Sequence, residues 1–148
     1  MRVAVATDHA GFPLKELVIG VVEAEGHEAL DLGTFSTDPV DYPDYAEKAG
    51  RAIQEGLADR AVILCGSGVG AAIAANKLKG IRAGLCHDNY SAHQCVEHDN
   101  ANALALGARV IGPDVAEELV ATFLRAKFSG AERHVRRVAK IDALEDSG

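Results

Sequence analysis

Five short runs of small and β-branched residues, separated by longer stretches of helical periodicity, constrain this 148-residue chain more than any other feature. The runs are "VAVAT" (3–7), "HEALDLG" (27–33), "RAVILC" (60–65), "IRAGLC" (81–86) and "ALALGARVIG" (103–112), the last bent at Gly107. The spacing predicts helices over 13–25, 41–56, from the glycine loop to about 79, 89–98, 113–128 and 130–145. Strands joined by crossover helices run parallel. The expected fold is therefore α/β, a three-layer α/β/α sandwich around a five-stranded parallel sheet, with residues 1–148 as one domain. In such sheets ligands sit beyond the carboxyl ends of the strands, near the point where strand order reverses. The candidates are the polar residues next to strand ends: Asp8 and His9, the loop from Cys65 to Gly70, His87 and Asp88, and the "EHDNAN" turn before the fifth strand.

Charge and cysteine usage remove several classes of function. A formal charge of −7 argues against general nucleic-acid binding, which demands a basic face. Apolar runs of only a few residues leave no membrane span, and the start "MRVAVATDHAG" turns polar too early for a secretory signal. Cys65, Cys86 and Cys95 form neither a C-x-x-C pair nor an even disulfide framework, so a reducing, cytoplasmic setting is expected. Cys86 and Cys95 read as small buried hydrophobes. No histidine and cysteine spacing suits zinc, and no metal is expected. One segment runs against the acidic balance: "RHVRRVAK" (133–140) packs four permanent cations and a histidine, either as an anion site or as a solvated helix face.

The stretch "AVILCGSGVGAAIAANK" (61–77) places a cysteine at the mouth of a glycine loop. A nucleotide-triphosphate P-loop needs a lysine and a hydroxyl that no spacing here supplies. A cysteine phosphatase needs an arginine six residues after the thiol, where this chain has Ala71. Gly66, Gly68 and Ala71 do satisfy a loose dinucleotide fingerprint, with Asp88 about 20 residues on. That loop follows the third strand of a small domain, however, and leaves little chain for a substrate lobe. The fourth reading is an oxyanion holder, in which successive amides at a helix start converge on one negative charge. The same positive end favours the thiolate of a neighbouring cysteine. Cys65 is then a base beside an anion site, or simply the end of a buried strand.

Other polar groups are equally two-sided. His98 suits proton transfer to and from sugar oxygens, or serves as a cation at a helix C-terminus. Asp8 and His9 stand where a substrate would approach, although an Asx turn also explains Asp8. Arg133 and Arg137, four apart on one helix face with Arg136 beside them, suit the bidentate recognition of a phosphate monoester.

Taken together, "TDHAGFPLK", "DLGT", "DYPDYA", "CGSGVGAAIAANK", "GIRAGLCHDNYSA", "EHDNANALALGARVIG" and "ERHVRR" resemble the B-type ribose-5-phosphate isomerases and the galactose-6-phosphate isomerase subunits over nearly the whole chain. The resemblance implies a flavodoxin-like or Rossmann-like sandwich that binds no dinucleotide and needs no cofactor. It implies homodimers or tetramers of dimers with the active site at the subunit interface, the C-terminal helix (about 130–145) packing on the partner. The implied reaction interconverts ribose 5-phosphate and ribulose 5-phosphate through a cis-enediolate, in the pentose phosphate pathway. Isomerisation of allose 6-phosphate, galactose 6-phosphate or erythrulose 4-phosphate is the alternative, and a nucleotide-binding module the non-enzymatic one.

By the same resemblance Cys65 is the base, with the Ser67 hydroxyl beside it. The amides of Gly66, Ser67, Gly68, Val69 and Gly70 hold the enediolate. His98 opens the furanose ring, with Asp99 and Asn100 following it. Asp8 and Tyr42 lie on the substrate side. His9, Arg133 and Arg137 contact phosphate, and Arg109 does so across the dimer interface. Some members use a glutamate just after the glycine loop as base, where this chain has Ala71. Asp99 departs from a frequent asparagine. A carboxylate there raises the basicity of a close histidine or repels a sugar oxyanion, so substrate preference is the expectation it unsettles.

Overall fold

The computed structural model describes residues 1–146. Strands β1 (Arg2–Thr7), β2 (Glu28–Asp31), β3 (Arg60–Cys65), β4 (Ala83–Leu85) and β5 (Ala103–Gly107) form one parallel sheet in the order β2-β1-β3-β5-β4. Helices α1 (Lys15–Ala24), α4 (Asn89–Glu97) and α5 (Pro113–Arg125) pack together on one face, and α2 (Tyr42–Gln54) and α3 (Val69–Ala75) on the other. The helix α6 (Glu132–Leu144) closes the described chain. This is the predicted α/β/α sandwich.

The two faces are built from different residue sizes. Along β1, β3 and β5, Val3, Val5, Val62, Leu64, Leu104 and Leu106 point to the α1/α5 side, where Phe123 and Leu119 fill the core. Ala4, Ala6, Ala61, Ala103 and Ala105 point the other way, against Ala46, Ala49, Ala71 and Ala75 of α2 and α3. Small side chains on both partners let those helices lie close to the sheet, and Cys65 ends β3 on this narrow side. Burial on both faces explains why these strands read as continuous apolar runs.

Several boundaries differ from expectation for visible reasons. The third helix stops at Ala75 because the Asn76 amide turns to β4, its Nδ2 donating to the Ala83 carbonyl (3.0 Å) and its Oδ1 accepting from the Ala83 amide (2.7 Å). The fifth strand ends at Gly107, after which Ala108 and Arg109 donate back to the Cys65 and Gly66 carbonyls (2.8 and 3.0 Å). The fourth is only three residues long. Helix α1 begins at Lys15, behind a 3-10 turn over Phe12–Leu14.

Strand order reverses where β1 and β3 lie side by side, after the chain has gone to β2 on the left and returned to β3 on the right. The carboxyl ends of β1 and β3 therefore flank the natural ligand crevice. Residues 33–41 cross this edge and are held by a buried lysine. Lys15 Nζ donates to the Thr34 carbonyl (2.7 Å), pairs with Asp31 (3.1 Å) and lies 4.1 Å from the centre of the Phe35 ring.

Candidate active site

Nine of the expected residues line one cleft of about 610 Å³ at the reversal point: Asp8, His9, Tyr42, Cys65, Gly66, Ser67, Val69, Gly70 and Arg109. Strand β1 delivers Asp8 and His9, strand β3 delivers Cys65, and the turn after β5 delivers Arg109. Cys65 is 5% exposed, and its sulfur accepts a hydrogen bond from the Gly68 amide at 3.1 Å. Gly68 makes that turn at φ +80°, and a Cβ there would stand 2.7 Å from Leu85 and 2.9 Å from the Leu106 backbone. The Ser67 hydroxyl accepts from the Val69 amide (3.1 Å), while Gly70 and Ala71, in the first turn of α3, have no intrahelical acceptor.

The surrounding groups are held in place. Asp8 is 5% exposed and accepts from the Gly11 amide at 2.9 Å, so the Asx-type turn and a place in the cleft are both true of it. His9 Nδ1 accepts from the Val40 amide (3.1 Å), which assigns its ring proton to Nε2 in the neutral form. Tyr42 packs its ring on Gly70, where a Cβ would come within 2.3 Å of Cε1. Gly107 is needed because a Cβ there would lie 2.5 Å from the Ser67 backbone. Its amide donates to His87 Nε2 at 2.9 Å, and burial lowers the His87 pKa, favouring the neutral acceptor. Asp88 caps α4 through the Ser91 amide, which keeps its carboxyl below the usual range.

The remaining expected residues do not line this cleft. Helix α4 runs back from the carboxyl edge of the sheet, so His98, at its C-terminus, and Asp99 and Asn100 stand at the amino edge, before β5 begins. Asn100, at φ 51°, accepts from Arg82 Nε through its carbonyl (2.8 Å). Asp99 lines a second cleft, of about 810 Å³, between α6 and the start of β4. The His98 ring stacks on that of His134 at 4.2 Å between centroids. Arg133 and Arg137 stand beside His134 on α6, and burial first, then His98 and these arginines, lower the His134 pKa. Arg109 lines the same cleft as Cys65: its amide donates to the Gly66 carbonyl and its guanidinium lies over Gly66.

The sequence reading missed Lys15, Val40, Gln94 and His134. "TDHAGFPLK" and "ERHVRR" contained two of them, but a backbone donor such as Val40 leaves no signature in side-chain chemistry. Among the described residues no helix is long and apolar enough to cross a membrane, and no group of three or more His, Cys, Asp or Glu could hold a metal ion.

The chain matches the family described as Ribose/Galactose Isomerase over residues 3–141. It belongs to that family. Ribose-5-phosphate isomerase B of Escherichia coli is 41% identical over 144 residues, covering 97% of this chain and 96% of that protein. D-erythrulose-4-phosphate isomerase of Pectobacterium atrosepticum is 40% identical over 134 residues, 88% of this chain and 86% of that one. The type B ribose 5-phosphate isomerase structure from Trypanosoma cruzi superposes with a TM-score of 0.97 at 42% identity, covering 100% of both chains. In this ribose/galactose isomerase the cysteine cleft and the histidine–arginine group thus lie at opposite edges of one sheet.

Proposed function

We propose that this chain interconverts ribose 5-phosphate and ribulose 5-phosphate as a homodimer, each active site joining the Cys65 cleft of one subunit to the His98, Arg133 and Arg137 group of the other. The observation that carries the reading is the division of the site between sheet edges. An acid at the sugar ring oxygen and a base at C2 must each come within about 3 Å of their atoms, which no single chain of this topology allows. A second copy brings them together. Exposed Tyr42, Val69, Ile73 and Val110 around the cleft supply apolar surface for it to cover, and α6 carries exposed Val135, Ile141 and Leu144 for the same partner. Residues 1–148 act as one domain.

In this scheme the partner's His98 passes its Nε2 proton to the ring oxygen and recovers one from the C1 hydroxyl, giving the open aldehyde and the neutral ring again. The Cys65 thiolate removes the C2 proton, and the amides of the glycine loop hold the oxygen that becomes negative. The hydroxyl proton passes between O2 and O1, with Ser67 adjacent, and the thiol returns its proton to C1. Asp8 and Tyr42 hold the sugar hydroxyls. His9 Nε2–H, Arg109 and the partner's arginines hold the phosphate. Chemistry of this kind needs no cofactor, and it suits a cytoplasmic enzyme of the pentose phosphate pathway.

The test is turnover of ribose 5-phosphate, with allose 6-phosphate, galactose 6-phosphate and erythrulose 4-phosphate in parallel. A kcat/KM highest for ribose 5-phosphate and a loss of at least 100-fold in Cys65→Ser are expected. The relative acting on a four-carbon sugar makes erythrulose 4-phosphate the second reading, and preference for it would replace the substrate assignment. Undiminished turnover by Cys65→Ser would remove the base.

A further inference from the structure

His98 is held from two sides by side chains to which the reaction scheme gives no role. Gln94, one helical turn earlier on α4, places its Nε2 3.0 Å from His98 Nδ1. An amide nitrogen only donates, so Nδ1 is the acceptor and the neutral ring carries its proton on Nε2. The carboxylate of Glu97, which pairs with His93, stands 3.8 Å from Nε2. On the other face is His134, whose ring is stacked 26° from parallel with that of His98. His134 is 4% exposed and is itself fixed. The Ser129 hydroxyl accepts from the Ala131 amide (3.2 Å) and is hydrogen-bonded to His134 Nδ1 at 2.5 Å. The Ser129 amide donates to the Glu97 carbonyl at 3.0 Å, tying the end of α4 to the start of α6 next to His98.

We propose that Gln94 is the positioning residue that selects the His98 tautomer with Nε2–H, the proton delivered to the sugar ring oxygen, and that the Ser129–His134 clamp sets the plane of the same ring. This rests on the assignment of ring opening to His98. The charged and titratable groups around the pair are Glu97 and its partner His93 from α4, Asp99 next to His98 in the chain, and Arg133 and Arg137 from α6. A free imidazole divides its proton between both nitrogens, and a ring with Nδ1–H presents a lone pair where the sugar oxygen needs a donor. Gln94 removes that wrong form, and His134 removes the rotation that would carry Nε2 out of line.

The experiment uses the full-length enzyme and three readouts. The first is turnover of ribose 5-phosphate, which is mostly cyclic and needs ring opening. The second is exchange of the C1 hydrogen of ribulose 5-phosphate with D2O, which needs enolisation but no ring step. The third is the nitrogen-15 spectrum of the His98 ring. In Gln94→Leu, kcat for ribose 5-phosphate is expected to fall about tenfold or more while C1 exchange stays within about twofold, and the His98 signals change from the Nε2–H form to a mixture. Gln94→Glu, whose carboxylate accepts from Nδ1–H, is expected to lose the same step and to shift the pH profile of kcat upward. His134→Phe, which keeps the stack, should retain more turnover than His134→Ala. Wild-type turnover in Gln94→Leu, an Nδ1–H ring in the wild type, or an equal fall in turnover and exchange would overturn the proposal. His98→Asn separates the underlying reading: if that variant keeps full turnover, or loses C1 exchange with it, ring opening does not belong to His98 at all.

Discussion

Mixing two inactive variants tests the divided site directly. Cys65 ends β3 in register with Gly107, whereas His98 lies before Ala103, which pairs with Ala61. The four residues of rise from Ala61 to Cys65 alone separate the two sheet edges by roughly 13 Å. An acid and a base serving one sugar, each about 3 Å from adjacent atoms, stand no more than about 9 Å apart. The gap exceeds the reach, which is why the proposed site takes its acid and its base from different subunits. Cys65→Ser and His98→Asn homodimers should each be nearly inactive. After co-refolding at equal amounts, about half of the dimers are mixed, and each mixed dimer has one intact site, restoring about a quarter of wild-type activity. The double variant in one chain, refolded with wild type, should leave about a quarter rather than about half. Ribulose 5-phosphate formation measures both mixtures, after ultracentrifugation has confirmed dimers. No recovery in the first mixture with half in the second, or an active monomer, would refute the reasoning and return both groups to one chain.

Two glycines and a histidine give further tests. Gly70→Ala would push a methyl into the Tyr42 ring, so kcat/KM is expected to fall about tenfold or more with the fold retained, as judged by circular dichroism. Gly107→Ala meets the Ser67 backbone instead, which cannot swing aside; urea titration should show a loss of about 1–3 kcal/mol together with lost activity. The pKa of His87 is lowered below its ordinary 6.5, so the unfolded chain binds more protons as pH falls. Its stabilising contribution is full above 6.5 and is lost as pH drops toward the folded value, and His27 and His134 shift in the same direction. Urea midpoints should therefore decline between about pH 7.5 and pH 5, and less steeply in His87→Gln, whose side-chain oxygen still accepts from Gly107.

Legibility in the sequence followed the range of the forces involved. The span of β3 was readable from "RAVILC" because burial on both faces imposes an unbroken apolar run. The end of α3 was not, since Asn76 stops the helix by reaching across to β4, a partner seven residues away. Asp8 and Cys65 could be placed together from the rule that ligands bind at a strand-order reversal. The same rule, applied to strand direction, separates His98 from them: a residue that follows a helix and precedes a strand lies at the amino edge. The tether that fixes His9 was out of reach, because Lys15 holds Thr34 and Val40 donates to His9 through backbone groups that every residue possesses.

The parallel run of β3 and β5 has a consequence for how such an enzyme responds to dilution. If the groups at its two edges complete one another only between copies, rate per chain is not constant. It falls once the concentration drops below the dissociation constant of the pair, with total rate approaching the square of concentration. Substrate spanning the joint then acts as a cross-link that draws subunits together, so that the activity lost after dilution is smaller the more sugar phosphate is present.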